Sequence, residues 1–272
     1  MKVLSENSKW EFIDSGFSTA RYNMDFDLSL VERCRQEDTF FLRFYRWKPY
    51  AISLGYNQNR FINELSLNTT KCLAEGIEIV TRPTGGRAVL HSEELTYSVV
   101  FKSSRQISEL YKDISLAILN GLKQMNPKLE KLSFTKDTPD LLQLIKTGMY
   151  NLCFNSQVKY EINFEGKKLV GSAQRKFGDI VLQHGSILIG SHHKNIVNYL
   201  NLSGIERLKM RKEIDTKTIC LNEILNLKTS YEETADAVFK GFTQSFNIKF
   251  KKINRLANHF SERTSMQESI LN

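Results

Sequence analysis

Four side chains in this sequence can attack a carbonyl or exchange a proton from settings that matter: Cys153, Lys168, His91 and His184. Cys153 stands in YNLCFNSQVKYEI, at the end of a weakly patterned stretch and just before a strand-like one, where loops commonly present reactive groups over a rigid scaffold. A thiol beside a lysine ionises more readily and can attack a thioester, although most lone cysteines are inert small hydrophobes. Lys168 opens the run KLVGSAQ, whose Val170, Gly171, Ser172 and Ala173 are small or apolar. There it either faces a partly dry cavity and binds a carbonyl, or is the solvated half of the Lys167–Lys168 pair. His91 in AVLHSEE and His184 in LQHGSI lie in glycine-bearing strands, as pocket walls or as satisfied structural histidines. No GxSxG elbow accompanies them, so a serine hydrolase triad is not indicated. His192 and His193 read as a surface pair.

A second constellation is TRPTGGRAVLH. Gly85 and Gly86 admit backbone angles and a close ligand approach that side chains forbid. Arg82 and Arg87 bracket them with fixed positive charge, a combination that suits phosphate, carboxylate or a polar linker, or else a tight turn with surface arginines. The spacing is not that of a P-loop.

These groups must be positioned by a sizeable scaffold, and 272 residues with 41% hydrophobic and 25% charged content can supply one. The expected organisation is a catalytic domain over 1–200 and a mainly helical C-terminal extension over 201–272 packed on it. No apolar run reaches the roughly 20 residues that span a bilayer, and MKVLSENSKWEF lacks the apolar core of a secretory signal. A cytoplasmic protein with no membrane partner is therefore expected. The four cysteines, Cys34, Cys72, Cys153 and Cys220, show no CxxC pair and no metal-ligand spacing, so no metal site is expected. A net charge of +8 favours an acidic partner, and the absence of a contiguous basic stripe argues against nucleic acid.

Alternation and helical spacing predict a strand over 9–14, a turn at Ser15 and Gly16, and a helix over 19–36. Strands over 40–47 and 51–56 are expected to form a hairpin across Lys48 and Pro49. A helix over about 60–75 ending at Gly76 hands over to a strand over 77–82, followed by the glycine turn, a strand over 95–101 and a helix over 106–124. Residues 125–152 are irregular, and a connection of that length is more often functional than accidental. Strands resume over 159–164, 168–174 and 179–190. Together these predict an α+β fold with a mixed β-sheet core and flanking helices.

Read in order, RFYRWKPYAISLGYNQN, RPTGGRAVLHSEELTYSVV, GKKLVGSAQ and LQHGSILIG resemble the lipoate-protein ligase and octanoyltransferase family, over roughly residues 9–200. The family's catalytic core is similar to that of biotin protein ligases. Within the family the motifs most resemble the cysteine-dependent octanoyltransferases of the LipM type. Ser92 departs from the acidic residue that usually follows the histidine.

The resemblance implies Cys153 as nucleophile, a few residues before the pair Tyr160 and Glu161, and Lys168 as the essential lysine. It assigns substrate binding to Arg82, Thr84, Gly85, Gly86, Arg87, Ala88, His91, Gly171, Ser172, Ala173, His184 and Gly185. The implied reaction moves an octanoyl group from octanoyl-acyl carrier protein to a lysine of a lipoyl domain, such as the glycine-cleavage H protein, through a Cys153 thioester and without a cofactor. Lys168 would favour the thiolate, and backbone N–H groups near Gly171 or the 85–87 turn would hold the oxyanion. The acyl tail is expected among Leu54, Tyr56, Val89 and Leu95. An ATP- and Mg²⁺-dependent ligase and an amidotransferase between lipoyl domains remain as alternatives.

Overall fold

The structure is a computed structural model that describes residues 9–58, 67–135 and 160–253. Its centre is a six-stranded sheet in the order β10-β11-β6-β2-β1-β12. These strands are Val170–Phe177 (β10), Ile180–Leu188 (β11), Glu94–Lys102 (β6), Thr39–Trp47 (β2), Lys9–Ser18 (β1) and Phe250–Ile253 (β12). The first four are antiparallel, and β2, β1 and β12 run parallel, so the sheet is mixed. Long apolar runs such as FFLRFYRW are buried along their length, as expected of strands covered on both faces.

Helix α1 (Ala20–Glu37) covers one face of the sheet. It begins where Thr19 accepts a bond from the Tyr22 N–H, and it ends at Asp38 in a left-handed conformation. The opposite face is covered by α3 (Ile107–Lys123) and by Tyr231–Phe246, which is α6 in chain order. Gly121 and Gly241 let these two helices approach closely: a Cβ on Gly241 would lie 2.2 Å from the Ala117 carbonyl oxygen. Phe12 and Phe239 meet edge to face at 4.7 Å between ring centroids, fixing α6 on β1.

Two three-stranded sheets flank the centre. One is β4-β3-β5, from Glu78–Thr81, Ala51–Leu54 and Val89–His91, and the other is β7-β8-β9, from Leu132–Phe134, Ile162–Phe164 and Lys167–Lys168. The strands on either side of Lys48 and Pro49 are therefore not a hairpin. β2 lies inside the main sheet and β3 is the middle strand of the other one, because both are buried runs without hairpin alternation and Pro49 brings no N–H to a ladder. The turn expected at Ser15 and Gly16 is instead a bulge within β1, where the pairing with β2 shifts between Asp14 and Phe17. The strand expected over 168–174 is split at Leu169, with Lys167–Lys168 in a small sheet and Val170 onward in the main one.

In the stretch expected to be irregular, Pro127–Lys131 forms a 3₁₀ turn and Leu132–Phe134 a strand, while the remainder from 136 falls outside the described residues. Of the helix expected over 60–75, Thr69–Ala74 is helical (α2), and 59–66 falls outside the described residues. Beyond residue 200 the chain continues as Gly204–Lys217 (α4), Leu221–Leu225 (α5) and α6 before β12 joins β1. Among the described residues, no helix is long and apolar enough to cross a membrane.

His193 is not the surface residue expected. It sits in a 3₁₀ segment, His192–Tyr199, with its ring buried between the Gly190 carbonyl (3.2 Å) and Thr218 Oγ1 (3.0 Å). The segment leaves every third residue, His192, Asn195 and Asn198, at the rim and turns those between them inward, and that carries His193 beneath α4. Burial pulls the His193 pKa from 6.5 down to about 4. Between those values the unfolded chain binds a proton that the folded chain refuses, so stability falls as pH drops through that window. Lowering the pH from ~7 to ~5 should remove about 2 kcal/mol through this residue. Urea midpoints at the two pH values check it: His193→Gln should be less stable at the higher pH and should lose less on acidification than the parent.

Candidate active site

The face of the main sheet beneath α1 carries an unusual row of polar groups. Strand register sets Ala173, His184, Ser98 and Arg43 side by side, and one step along it sets Gly171, Ser186, Thr96 and Tyr45. Where α1 leaves this face uncovered, a cavity opens, with about 450 Å³ of empty space that includes its open mouth. Seven of the residues that the resemblance assigns to substrate binding line it: Arg82, His91, Gly171, Ser172, Ala173, His184 and Gly185. The rest of the wall comes from Met24, Tyr45, Trp47, Ser53, Val89, Thr96 and Ser186.

Two hydrogen-bond networks tie off the polar atoms of this wall. In the first, the fully buried Asp27 of α1 accepts from Arg43 Nη1 (2.8 Å), Ser98 Oγ (2.8 Å) and Tyr45 Oη (3.1 Å). Burial alone would raise the Asp27 pKa, but Arg43 and His184 outweigh it and hold the carboxyl below its ordinary value. Burial also lowers the His184 pKa, so with Arg43 already balancing Asp27 the imidazole stays neutral near pH ~7. Its Nδ1 then donates to Asp27 Oδ2 (3.2 Å), which leaves Nε2 to accept from Thr84 Oγ1 (2.6 Å). Arg43 Nη1 and Nη2 also reach the Asn23 carbonyl and side chain, and the guanidinium stacks over Tyr45 and Phe26.

The second network centres on Glu94 at the start of β6. Its Oε1 accepts from Thr96 Oγ1 (2.6 Å) and Ser186 Oγ (2.7 Å) and lies 2.8 Å from His91 Nδ1. Burial would raise the Glu94 pKa, and His91 beside it brings it below normal. Trp47 Nε1 donates to Thr96, and the Trp47 ring stacks on His91 at 4.0 Å with 11° between planes. His91 Nε2 faces Ser53 Oγ at 2.8 Å, and Ser53 in turn accepts from Arg82. With these polar atoms turned on each other, the surface left to a guest is mainly carbon. Such a wall suits an aliphatic chain, which can pair with no exposed donor.

The glycine turn is built by Arg82 itself. Its guanidinium donates to the Ser53 carbonyl and hydroxyl, to the Gly85 carbonyl and to the Arg87 carbonyl, so its planar fork braces the loop around it. Gly86 has a φ of 96°, open to glycine, and the end of β3 presses in so closely that a Cβ on Gly55 would lie 1.9 Å from the Gly86 oxygen. Thr84, Gly85, Gly86, Arg87 and Ala88 therefore stand behind the cavity wall; Thr84 reaches it through His184, and Ala88 packs in the core of the β4-β3-β5 sheet. Arg175 holds the turn from the other side, donating to the Pro83 carbonyl and stacking over Tyr56.

The acyl tail expected among Leu54, Tyr56, Val89 and Leu95 is corrected by these positions. Val89 lines the cavity, but Tyr56 points outward at 46% exposure, Leu54 packs in the small-sheet core, and Leu95 packs in the main core. Alternation explains the error for Leu95, which neighbours Thr96 on the strand and so faces the other way. Met24 and Tyr45 line the cavity where these three do not: docking of α1 on the sheet brings Met24 there, and pairing with Thr96 brings Tyr45.

Lys168 is buried, with Nζ 2.6 Å from Glu161 Oε1, and its backbone pairs with Thr218 and Ile219. Three residues further on, β10 begins lining the cavity at Gly171. Cys153 lies outside the described residues. The other three cysteines are buried, and burial pushes the thiols of Cys34 to about 12 and Cys220 to about 11 and raises Cys72. None of the three is a nucleophile at neutral pH. Among the described residues no cluster of His, Cys, Asp and Glu could hold a metal ion.

Comparison with known proteins bears on what fills the cavity. A family profile described as the lipoyl protein ligase A/B catalytic domain matches residues 19–243. An octanoyltransferase LipM of Lysinibacillus sphaericus is 32% identical over 250 residues, covering 89% of this chain and 88% of that protein. That of Geobacillus kaustophilus is 34% identical over 247 residues, covering 88% and 87%. Among solved structures, the bipartite lipoate protein ligase of Thermoplasma acidophilum superposes with a TM-score of 0.70 at 19% identity, covering 96% of this chain and 91% of the other. At that identity the likeness establishes the fold.

The Asp27–Arg43 pair should dominate the stability of this wall. Asp27→Asn leaves a buried guanidinium without its counter-charge and should cost about 3–5 kcal/mol in urea unfolding. Replacing both partners, Asp27→Leu with Arg43→Met, should cost less than the single change, since no charge is then left unpaired. A single-mutant cost under about 1 kcal/mol would mean that the pair is not what holds α1 to the sheet.

Proposed function

The chain belongs to the lipoyl protein ligase A/B catalytic-domain family, and we propose that it is an octanoyltransferase of lipoate biosynthesis acting through a cysteine thioester. The near full-length likeness to LipM octanoyltransferases carries the reading. The cavity supports it, because a wall whose polar groups are internally paired accepts a saturated chain and offers a carboxylate or a nucleotide little to bind.

The reaction is two exchanges at one carbonyl. The Cys153 thiolate attacks the octanoyl thioester of an acyl carrier protein, the carbon–sulfur bond to the pantetheine arm breaks, and the arm leaves as a thiol that takes the proton. The ε-amine of a lipoyl-domain lysine, such as that of a glycine-cleavage H protein, then attacks the Cys153 thioester. An amide forms, the cysteine sulfur leaves, and the proton lost by the amine returns to it. Thioester to thioester to amide runs without a nucleotide, since the donor arrives activated.

Cys153 is assigned the role of nucleophile on the resemblance to cysteine-dependent octanoyltransferases, and its three fellow cysteines are buried thiols whose pKa values are raised. Lys168 supplies a buried cation, oriented by Glu161, that favours the thiolate and draws on the carbonyl oxygen as charge develops there. The chain packs against Val89, Met24 and Tyr45, with His91 and His184 held as wall by their carboxylates. Both partners are soluble acidic proteins, which suits a chain of net charge +8 working in the cytoplasm.

Incubation with octanoyl-acyl carrier protein and an apo lipoyl domain, without ATP, tests this. The lipoyl domain should gain one octanoyl mass, and Lys168→Ala should slow its appearance by roughly a hundredfold or more. Glu161→Gln should also slow it, though less, by loosening the lysine. Octanoylation that requires free octanoate and ATP would make the protein a ligase instead.

A further inference from the structure

Helix α4 (Gly204–Lys217) presents one face to the protein and leaves the other in solvent. Its inner side is secured by Ile214, buried to 2%, by Met210 against the small-sheet core, and by Arg211 donating to Asn195 of the 3₁₀ segment. The outer side carries Ile205, Leu208, Lys209 and Lys212, spaced i, i+3, i+4 and i+7, which places all four on one stripe. Ile205 is 69% exposed and Leu208 73%, so two apolar side chains one turn apart face solvent together. Lys209 and Lys212 are exposed beside them.

The helix is anchored next to the chemistry. Its C-terminal cap residue Thr218 pairs with Lys168, and the Ile219 N–H donates to the Lys168 carbonyl at 3.0 Å. At 1.5 Å rise per residue, Leu208 stands roughly 15 Å along the axis from Thr218. That distance separates the two protein substrates of the proposed reaction, on which this inference rests. A lysine side chain on an acceptor domain cannot span it. A pantetheine arm, as long as several extended residues of about 3.5 Å each, can.

We infer that the Ile205–Leu208–Lys209–Lys212 stripe of α4 is the docking surface for the acidic acyl-carrier donor. Two apolar side chains take the centre of the contact, and the lysines face carboxylates on the carrier at its rim. Such a rim raises the association rate and makes it sensitive to salt, while the apolar pair slows release. The acceptor domain docks elsewhere, with its lysine at the cavity mouth.

The test compares a protein donor with a small one. Acyl-enzyme formation is followed with octanoyl-acyl carrier protein and with octanoyl-pantetheine, for the parent, for Lys209→Glu with Lys212→Glu, and for Ile205→Ser with Leu208→Ser. Both double variants change solvent-facing side chains only, and thermal unfolding verifies that they fold. Each should lose roughly tenfold or more in kcat/KM with the carrier protein and keep its rate with octanoyl-pantetheine, and the lysine variant should lose most of its salt dependence. Equal losses with both donors, no loss with the carrier protein, or a loss confined to transfer onto the lipoyl domain would overturn the assignment. A parent protein that neither donor acylates would instead remove the transferase reading on which it stands.

Discussion

Asp27 and Arg43 hold opposite charges against each other inside the protein, and the architecture of the site depends on their doing so. Neither is exposed to water, and either one alone would cost several kcal/mol to bury. Arg43 comes from the middle of a strand and Asp27 from the helix above it, so the pair fixes where α1 rests on the sheet. Through Asp27 the same contact orients His184, His184 receives Thr84, and Thr84 belongs to the glycine turn. A chain of hydrogen bonds thus runs from the core to the loop behind the cavity wall. The arrangement also explains how a cavity can be walled by histidines and serines, backed by carboxylates, and still be mainly carbon, because each polar atom paired within the wall is one a guest does not meet.

The Glu94 network works in the same way at the other end of the cavity. Trp47, Thr96, Ser186, His91 and Ser53 are drawn together from five strands, and Arg82 links them to the turn. The glycines and arginines of TRPTGGR find their explanation here. Gly86 gives the turn its left-handed angle where Gly55 crowds it, and Arg82 ties the loop's carbonyls to β3. The loop is thus braced scaffold, and the charge of Arg82 is spent largely on carbonyls of the loop and of β3.

How much of this was legible in the sequence follows from how local each signal is. Strands with clear alternation or long apolar runs, the capped α1 and the amphipathic α3 stood in the pattern, as did the family motifs that place seven residues on the cavity wall. Sheet membership was not legible at Pro49, since one residue's missing N–H says that a ladder stops and not where the next strand goes. Asp27 and Met24 were missed because they reach the site by helix–sheet packing, and Tyr45 because it reaches it by pairing of β2 with a strand distant in sequence. The one available hint was Arg43, a charge inside an apolar strand that had to have a buried partner. His193 misled because a histidine pair in a polar context gives no sign of a 3₁₀ turn rolling one of the two inward.

The proposed covalent account, in which the acyl group rests on Cys153 between donor and acceptor, is supported by the kinship with octanoyltransferases and is compatible with the cavity and the buried pair Lys168–Glu161. The most direct measurement is the intact mass of the protein after brief exposure to octanoyl-acyl carrier protein with no acceptor and no ATP, alongside Cys153→Ala. The account predicts one octanoyl adduct that hydroxylamine releases and that the variant lacks. An unmodified parent protein, or an adduct that survives in the variant, would contradict it.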